Sequence, residues 1–164
     1  MSLETLKSTL GLGARANKFR VQLPYGGSDM DVLAKATSLP DVTLGTIEVW
    51  HKGRKMTVAG EAQYAGTWDV TFYNTAEMDF RQVFIDEIDR IDSYATEVKS
   101  VASNLDYMKD LHVSQLDSYD QVTKTYTLYN AYPTVVSSVE YGSDTADTIT
   151  EFTVTFTYSH WLSF

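Results

Sequence analysis

The sequence predicts a mainly β fold: a small antiparallel β-barrel or sandwich with one flanking α-helix. Three observations carry that prediction. Segments of strict apolar–polar alternation recur along the chain. Aromatic residues make up 13% of the 164 positions and Thr crowds the second half, both strand-forming types. Only one long stretch, beginning at Asn74, repeats its apolar residues at helical spacing. With 43% hydrophobic residues and no Pro- or Gly/Ser-rich linker, the chain is expected to form one cored domain, 17–164, preceded by an arm, 1–16.

In the arm, Leu3, Leu6 and Leu10 stand at helical spacing before Gly11-Leu12-Gly13, so a short helix or an arm that orders on assembly is expected. Residues 18–23 alternate and read as a strand. Tyr25–Ser28 read as a turn, and 30–37 as a second strand broken at Leu39-Pro40, since Pro40 has no amide proton. Residues 44–50 and 54–59 form the two arms of a hairpin, with Lys52-Gly53 at its tip. Glu61–Gly66 is read as a connection. In 67–73, Trp68, Val70 and Phe72 share one face and Thr67, Asp69 and Thr71 the other.

Asn74 followed by Glu77 matches a helix N-cap and capping box. Phe80, Val83, Phe84, Ile88 and Ile91 supply the apolar stripe behind it. Residues 92–105 lack a pattern and read as loop; 106–116 read as a strand. Residues 122–129 alternate strictly, Tyr132-Pro133 marks a break, 134–140 another strand, and 141–144 a turn. In 151–158, Phe152, Val154, Phe156 and Tyr158 oppose Thr153, Thr155 and Thr157.

Composition narrows the function. With no cysteine, disulfides, thiolate metal sites and a Cys nucleophile are excluded. A formal charge of −9 argues against a dedicated nucleic-acid binder, which needs basic surface to displace phosphate counterions. The charge is also polar. Residues 1–60 hold eight Lys/Arg against five Asp/Glu, and 61–164 hold five against seventeen. Such a molecule is suited to stacking head to tail, although chance scatter gives the same pattern. No stretch approaches the ~20 apolar residues of a membrane span. Met1-Ser2-Leu3-Glu4 lacks the basic start and apolar run of a secretory signal, so synthesis and assembly in a cytoplasm are expected.

Catalytic patterns are lacking. His51, His112 and His160 stand far apart without metal-ligand spacing, and Gly-x-Ser-x-Gly, P-loop and paired-Cys elements are absent. No cofactor and no catalytic or metal residue is expected. Buried aromatics such as Trp68, Phe72 and Phe156 read as core.

Several segments resemble the tube-protein family of contractile phage tails. They are Lys35–Pro40, a strand closing on Leu-Pro, and Gly53-Arg54-Lys55-Met56-Thr57-Val58-Ala59-Gly60. Then come Trp68–Asn74 with the Arg81–Phe84 helix behind it, Tyr129–Pro133, and Phe152–Tyr158 with Trp161. Their order and spacing over 18–161, not any single match, carry the resemblance. The arm, the turn at 25–31 and the 92–105 stretch depart from the family pattern.

The resemblance implies a structural virion protein: a small β-barrel with a flanking helix, six copies to a ring, inner strands joining one barrel around a channel. Rings stack helically inside a contractile sheath, and the genome is ejected through the bore. The implied partners are further copies of the chain and the sheath, baseplate and tail terminator proteins, with DNA in transit but not specifically bound. Tubes of R-type pyocins, type VI secretion and extracellular injection systems share the fold and form the alternative within this class. A small β-barrel ligand carrier is the alternative outside it. On this reading Trp50, His51, Lys52, Gly53, Arg54 and Lys55 at the hairpin tip are candidate inter-ring contacts, against the plain alternative of a solvated turn. Asp69, Thr123, Thr125, Thr127, Glu151, Thr153, Thr155 and Thr157 are candidate lumen-lining residues, since acidic and hydroxyl-rich walls do not hold phosphate. The alternative for them is the ordinary solvent face of a sheet.

Overall fold

The structure is a computed structural model that describes residues 3–11, 13–27, 30–92, 107–144 and 147–164. It is mainly β with antiparallel pairing throughout. In chain order the elements are α1 (Leu3–Leu10), β1 (Phe19–Gln22), α2 (Met30–Leu33), β2 (Ala34–Thr37), β3 (Val42–His51), β4 (Arg54–Tyr64), β5 (Thr67–Tyr73) and α3 (Asp79–Ile91). They continue with β6 (Lys109–Leu116), β7 (Val122–Val136), β8 (Glu151–Thr157) and β9 (His160–Ser163).

Among the described residues, seven strands form one sheet in the order β1-β6-β7-β8-β5-β2, with β9 also paired to β7, and β3 and β4 pair only with each other. The long strand β7 joins two halves. Its first part pairs with β6 and β9, and its second part with β8. The transition is local. Asn130 has φ 55, its amide donates to Asp110 Oδ1 at 3.3 Å, and the β6 register slips beside it. An extra residue in a left-handed conformation bends a strand without ending it. The break expected at Tyr132-Pro133 is therefore a bend. Pro133 lies opposite Phe156 within the strand, the register slips between Pro133 and Val135, and the strand ends at Val136 and not at residue 140.

The core follows from alternation. β5 and β8 are paired so that Phe72 meets Phe152, Val70 meets Val154 and Trp68 meets Phe156, all buried. Cross-strand pairs of this kind are the unit of sheet stabilisation. Val21, Leu111, Val113 and Leu128 contribute from the other half of the sheet. From α3, Phe84 is fully buried, with its ring centroid 5.7 Å from that of Phe72, 5.9 Å from that of Phe156 and 6.3 Å from that of Phe152.

Other expectations shift. Residues 30–37 are not one strand, because a helical turn, α2, precedes β2. Glu61–Tyr64 belong to β4 and are not a connection. The helix does not start at Asn74. The Asn74 amide is held in the sheet by Thr150 O at 2.9 Å, a turn follows, and α3 begins after Met78, which has φ 57 and no side-chain cap. The capping box at Asn74–Glu77 is not formed. The loop expected at 92–105 lies, but for Asp92, outside the described residues. Strand β9 adds an element beyond those the alternation predicts.

Candidate assembly surfaces

The hairpin tip is built as its sequence requires. Lys52 and Gly53 both have positive φ, 50 and 78, the conformation of a tight two-residue turn. His51 pairs with Arg54 and Trp50 with Lys55 in register. All six tip residues are exposed, Trp50 at 66%. Lys55 is bonded to Glu48 within the hairpin, so His51, Lys52 and Arg54 make up the outward basic part of the cluster.

The lumen candidates separate into two groups. Asp69, Glu151, Thr153, Thr155 and Thr157 come together on one face of the β5–β8 half-sheet. There Thr155 donates to Asp69 Oδ1 at 2.6 Å and Thr157 to Thr134 at 3.3 Å, and the Thr71 and Thr153 hydroxyls are 3.0 Å apart. Glu151 holds Lys35, whose amine is pushed above its ordinary range by that hydrogen bond. Lys35 also lies 5.5 Å from the centre of the Tyr73 ring. The result is a hydroxyl-rich wall whose cation is already matched by a carboxylate. Thr123, Thr125 and Thr127 stand apart, on the β6–β7 half. Thr125 bonds Ser114 at 3.0 Å and Thr127 bonds His112 Nδ1 at 2.9 Å, with Thr127 only 6% exposed.

Lys35 and Thr134 belong to the first wall although the sequence pattern does not point to them, and Thr71 stands on that face as its alternation requires. The hairpin also has an apolar character not expected from its tip. Ile47, Val49, Met56 and Val58 are all exposed, and the signal was present in their every-second-residue spacing. Strand edges are open as well. Among the described residues, β1 and β2 end the main strand order, β9 is paired on one side, and β3 and β4 have no other strand beside them.

Among the described residues no group of three or more His, Asp or Glu is placed to hold a metal. Tyr25 is a buried phenol raised well above its ordinary range, chiefly by desolvation and secondarily by Glu87. Lys109 Nζ sits over its ring at 4.4 Å, a packing arrangement and not a nucleophile site.

Comparison with known proteins agrees with this geometry. The family described as phage tail tube protein matches residues 6–163. The tail tube protein gp19 of Enterobacteria phage T4 is 30% identical over 149 residues, covering 90% of each chain. Several solved structures share the fold, among them the following two. A chain of the anti-feeding prophage cap has a TM-score of 0.66 at 18% identity, covering 92% of this chain and 90% of its own. A chain of the PVC extracellular contractile injection system sheath–tube complex has 0.63 at 16%, covering 100% and 98%.

Proposed function

The chain belongs to the phage tail tube protein family, and from that premise we propose that its copies close into hexameric rings that stack into the inner tube of a contractile tail. Proteins of this family are structural components of the virion and not enzymes. The finer reading adds a central channel through which the genome leaves, assembly in the host cytoplasm, and contacts with sheath, baseplate and terminator proteins. It keeps residues 1–16 as an arm on a single domain, 17–164.

The observation that carries the reading is the set of open strand edges around a finished core. An unpaired edge is a template for another strand. β2 ends the half-sheet of β2, β5, β8 and the second part of β7, and among the described residues no strand pairs with the second part of β7 on its side away from β8. A neighbour's strand on each side would continue it around a ring, and a closed barrel leaves no edge exposed. Contacts between stacked rings are heterologous and self-propagating, so they yield a filament.

The wall of Asp69, Thr71, Glu151, Thr153, Thr155 and Thr157 is the better lumen candidate. Its groups are mutually bonded and offer phosphate no excess positive charge. The second row, with Thr127 buried, suits it less. Tip residues Trp50 to Lys55 are assigned to the contact between rings, where His51, Lys52 and Arg54 would meet carboxylates of the acidic part of the next copy.

Negative-stain microscopy of the purified protein tests the tube reading. Stacked rings or hollow rods are expected, and a monodisperse monomer at all concentrations overturns it. Replacing both Arg54 and Lys55 with Glu is expected to give soluble, folded protein that does not polymerise. Unchanged rods from that variant would remove the tip from the ring contact.

A further inference from the structure

Strand β7 stops at Val136, yet the chain runs beside β8 for one more residue. Val136 pairs with Val154, so Ser137 stands opposite Thr153. In an antiparallel ladder such a pair exchanges two backbone bonds, each amide donating to the other residue's carbonyl. One of them is made, from Ser137 N to Thr153 O at 2.9 Å. The other is replaced. Thr153 N donates at 2.8 Å to the Ser137 hydroxyl. The serine side chain has taken the place of its own carbonyl.

That carbonyl is held by the helix. Arg81, in the first turn of α3, donates to Ser137 O from Nη2 at 3.1 Å and from Nε at 3.4 Å. A charged donor with two N–H groups holds a carbonyl more strongly than a neutral amide does. The Ser137 hydroxyl also donates to Ser138 O at 3.3 Å, so its proton and its lone pair are both used. Every polar group in the exchange keeps a partner, as half-buried backbone requires.

Packing shows what the departure from the ladder achieves. Val136 packs against the core. Continued alternation would turn Ser138 inward beside it and Val139 outward. The reverse is found: Val139 packs against the core and Ser138 is exposed. The connection from β7 to β8 is tied to the same helix unit elsewhere. Thr150 O accepts from the Asn74 amide at 2.9 Å, and the Tyr141 hydroxyl donates to Met78 Sδ at 3.3 Å. Asn74, Met78 and Arg81 all lie on the path from β5 into α3.

We infer that Arg81 and Ser137 form a latch with two settings. In the closed setting Arg81 holds the Ser137 carbonyl and the serine hydroxyl serves Thr153. In the open setting the carbonyl returns to Thr153 N, β7 lengthens by one residue pair, and the connection loses this tie to α3. Arg81 is thus a positioning residue that acts on Thr153 through Ser137. The Thr153 hydroxyl stands 3.0 Å from that of Thr71, so the latch links the flanking helix to the hydroxyl wall on the other side of the sheet. It operates within one subunit and does not depend on the tube reading.

A double-mutant cycle read at the Thr153 amide tests the latch. Hydrogen exchange is followed residue by residue by NMR on the full chain, after quenching and dissolution where the protein is assembled. With Arg81 present, Ser137→Ala leaves the Thr153 amide without an acceptor, and its exchange is expected to quicken at least ~10-fold. Arg81→Met keeps the apolar stem and removes the donors. In that background the carbonyl is free to return, and adding Ser137→Ala is expected to change the rate less than about threefold. The same acceleration in both backgrounds is what two independent structural bonds would give, and it would overturn the inference.

Exchange at Val154, deep in the same strand, reports global stability in each variant. If Arg81→Met does not fold, Ser137→Thr decides in the wild-type background. It keeps a hydroxyl and is expected to hold the Thr153 amide near its wild-type rate, where Ser137→Ala does not. Equal exchange in those two variants would show that the side-chain oxygen is not the acceptor, and the latch would fall.

Discussion

At the level of single residues, backbone conformation and charge pairing decide what substitution does. Gly60 is needed for space. A Cβ there would stand 3.0 Å from the Gly45 carbonyl, beside the register slip between Leu44 and Thr46, so Gly60→Ala is expected to ease β3 and β4 apart, read as faster amide exchange across them with the core amides unchanged. Asn130 is needed for conformation. Its left-handed φ within a strand is unfavourable to branched side chains. Asn130→Val should destabilise the subunit by about 1–2 kcal/mol in denaturant unfolding, and Asn130→Gly should be close to neutral.

Glu87 is held below the ordinary carboxylate range, chiefly by its hydrogen bond from Arg90 at 2.7 Å, against its own partial burial, with Lys109 at 3.6 Å adding. A lowered folded value means the pair's stabilisation is complete above the unfolded carboxyl range. It is lost as pH falls through the lowered folded value. Glu87→Gln should therefore cost under about 1 kcal/mol near neutrality. The melting curves of the two proteins should converge as pH falls below the ordinary carboxylate range, and a gap that stays constant with falling pH would contradict the assignment.

At the level of elements, α3 shows how local signals and tertiary context compete. Its apolar stripe was legible, and Phe80 and Phe84 are buried as the 3.6-residue spacing requires. Its start was not. Asn74 and Glu77 carry the residue types of a cap, but the bond from the Asn74 amide to Thr150 extends the sheet by one residue. That long-range partner is invisible to a local reading. Phe84→Ala should cost about 3–5 kcal/mol, because the fully buried ring is shared by both walls of the aromatic core. A small loss in thermal or denaturant unfolding would mean that α3 is not part of the cooperative core.

Strand β7 teaches the same lesson from the other side. Proline usually ends a strand, yet Pro133 sits inside one, where a slip in register accommodates its missing amide proton.

At the level of the whole molecule, charge and shape act together. The basic first third and acidic remainder favour end-to-end contact, and such contacts weaken as salt screens them. Raising salt should lower the assembly rate of the wild type, while tubes already formed persist. Dissolution of finished tubes by salt alone would assign the contact to charge. The lumen assignment has its own check. Tubes carrying Thr153→Lys and Thr155→Lys should retain short duplex DNA at low salt and release it as salt rises, whereas wild-type tubes should not retain it.

What the sequence determined by itself was what short-range periodicity encodes. This covers the β class, the strands at 19–22, 67–73 and 151–157, the hairpin turn at Lys52-Gly53, the inward faces of β5 and β8, and the apolar face of α3. Side-chain alternation and helical spacing are properties of neighbouring residues, so one sequence suffices to read them. The tertiary structure alone decided which strands lie side by side. It parted the threonine rows into two walls, added Lys35 and Thr134 to one of them, carried β7 through its proline, and left apolar residues of the hairpin exposed. Those outcomes depend on hydrogen bonds between residues far apart in the chain, whose partners no local pattern specifies.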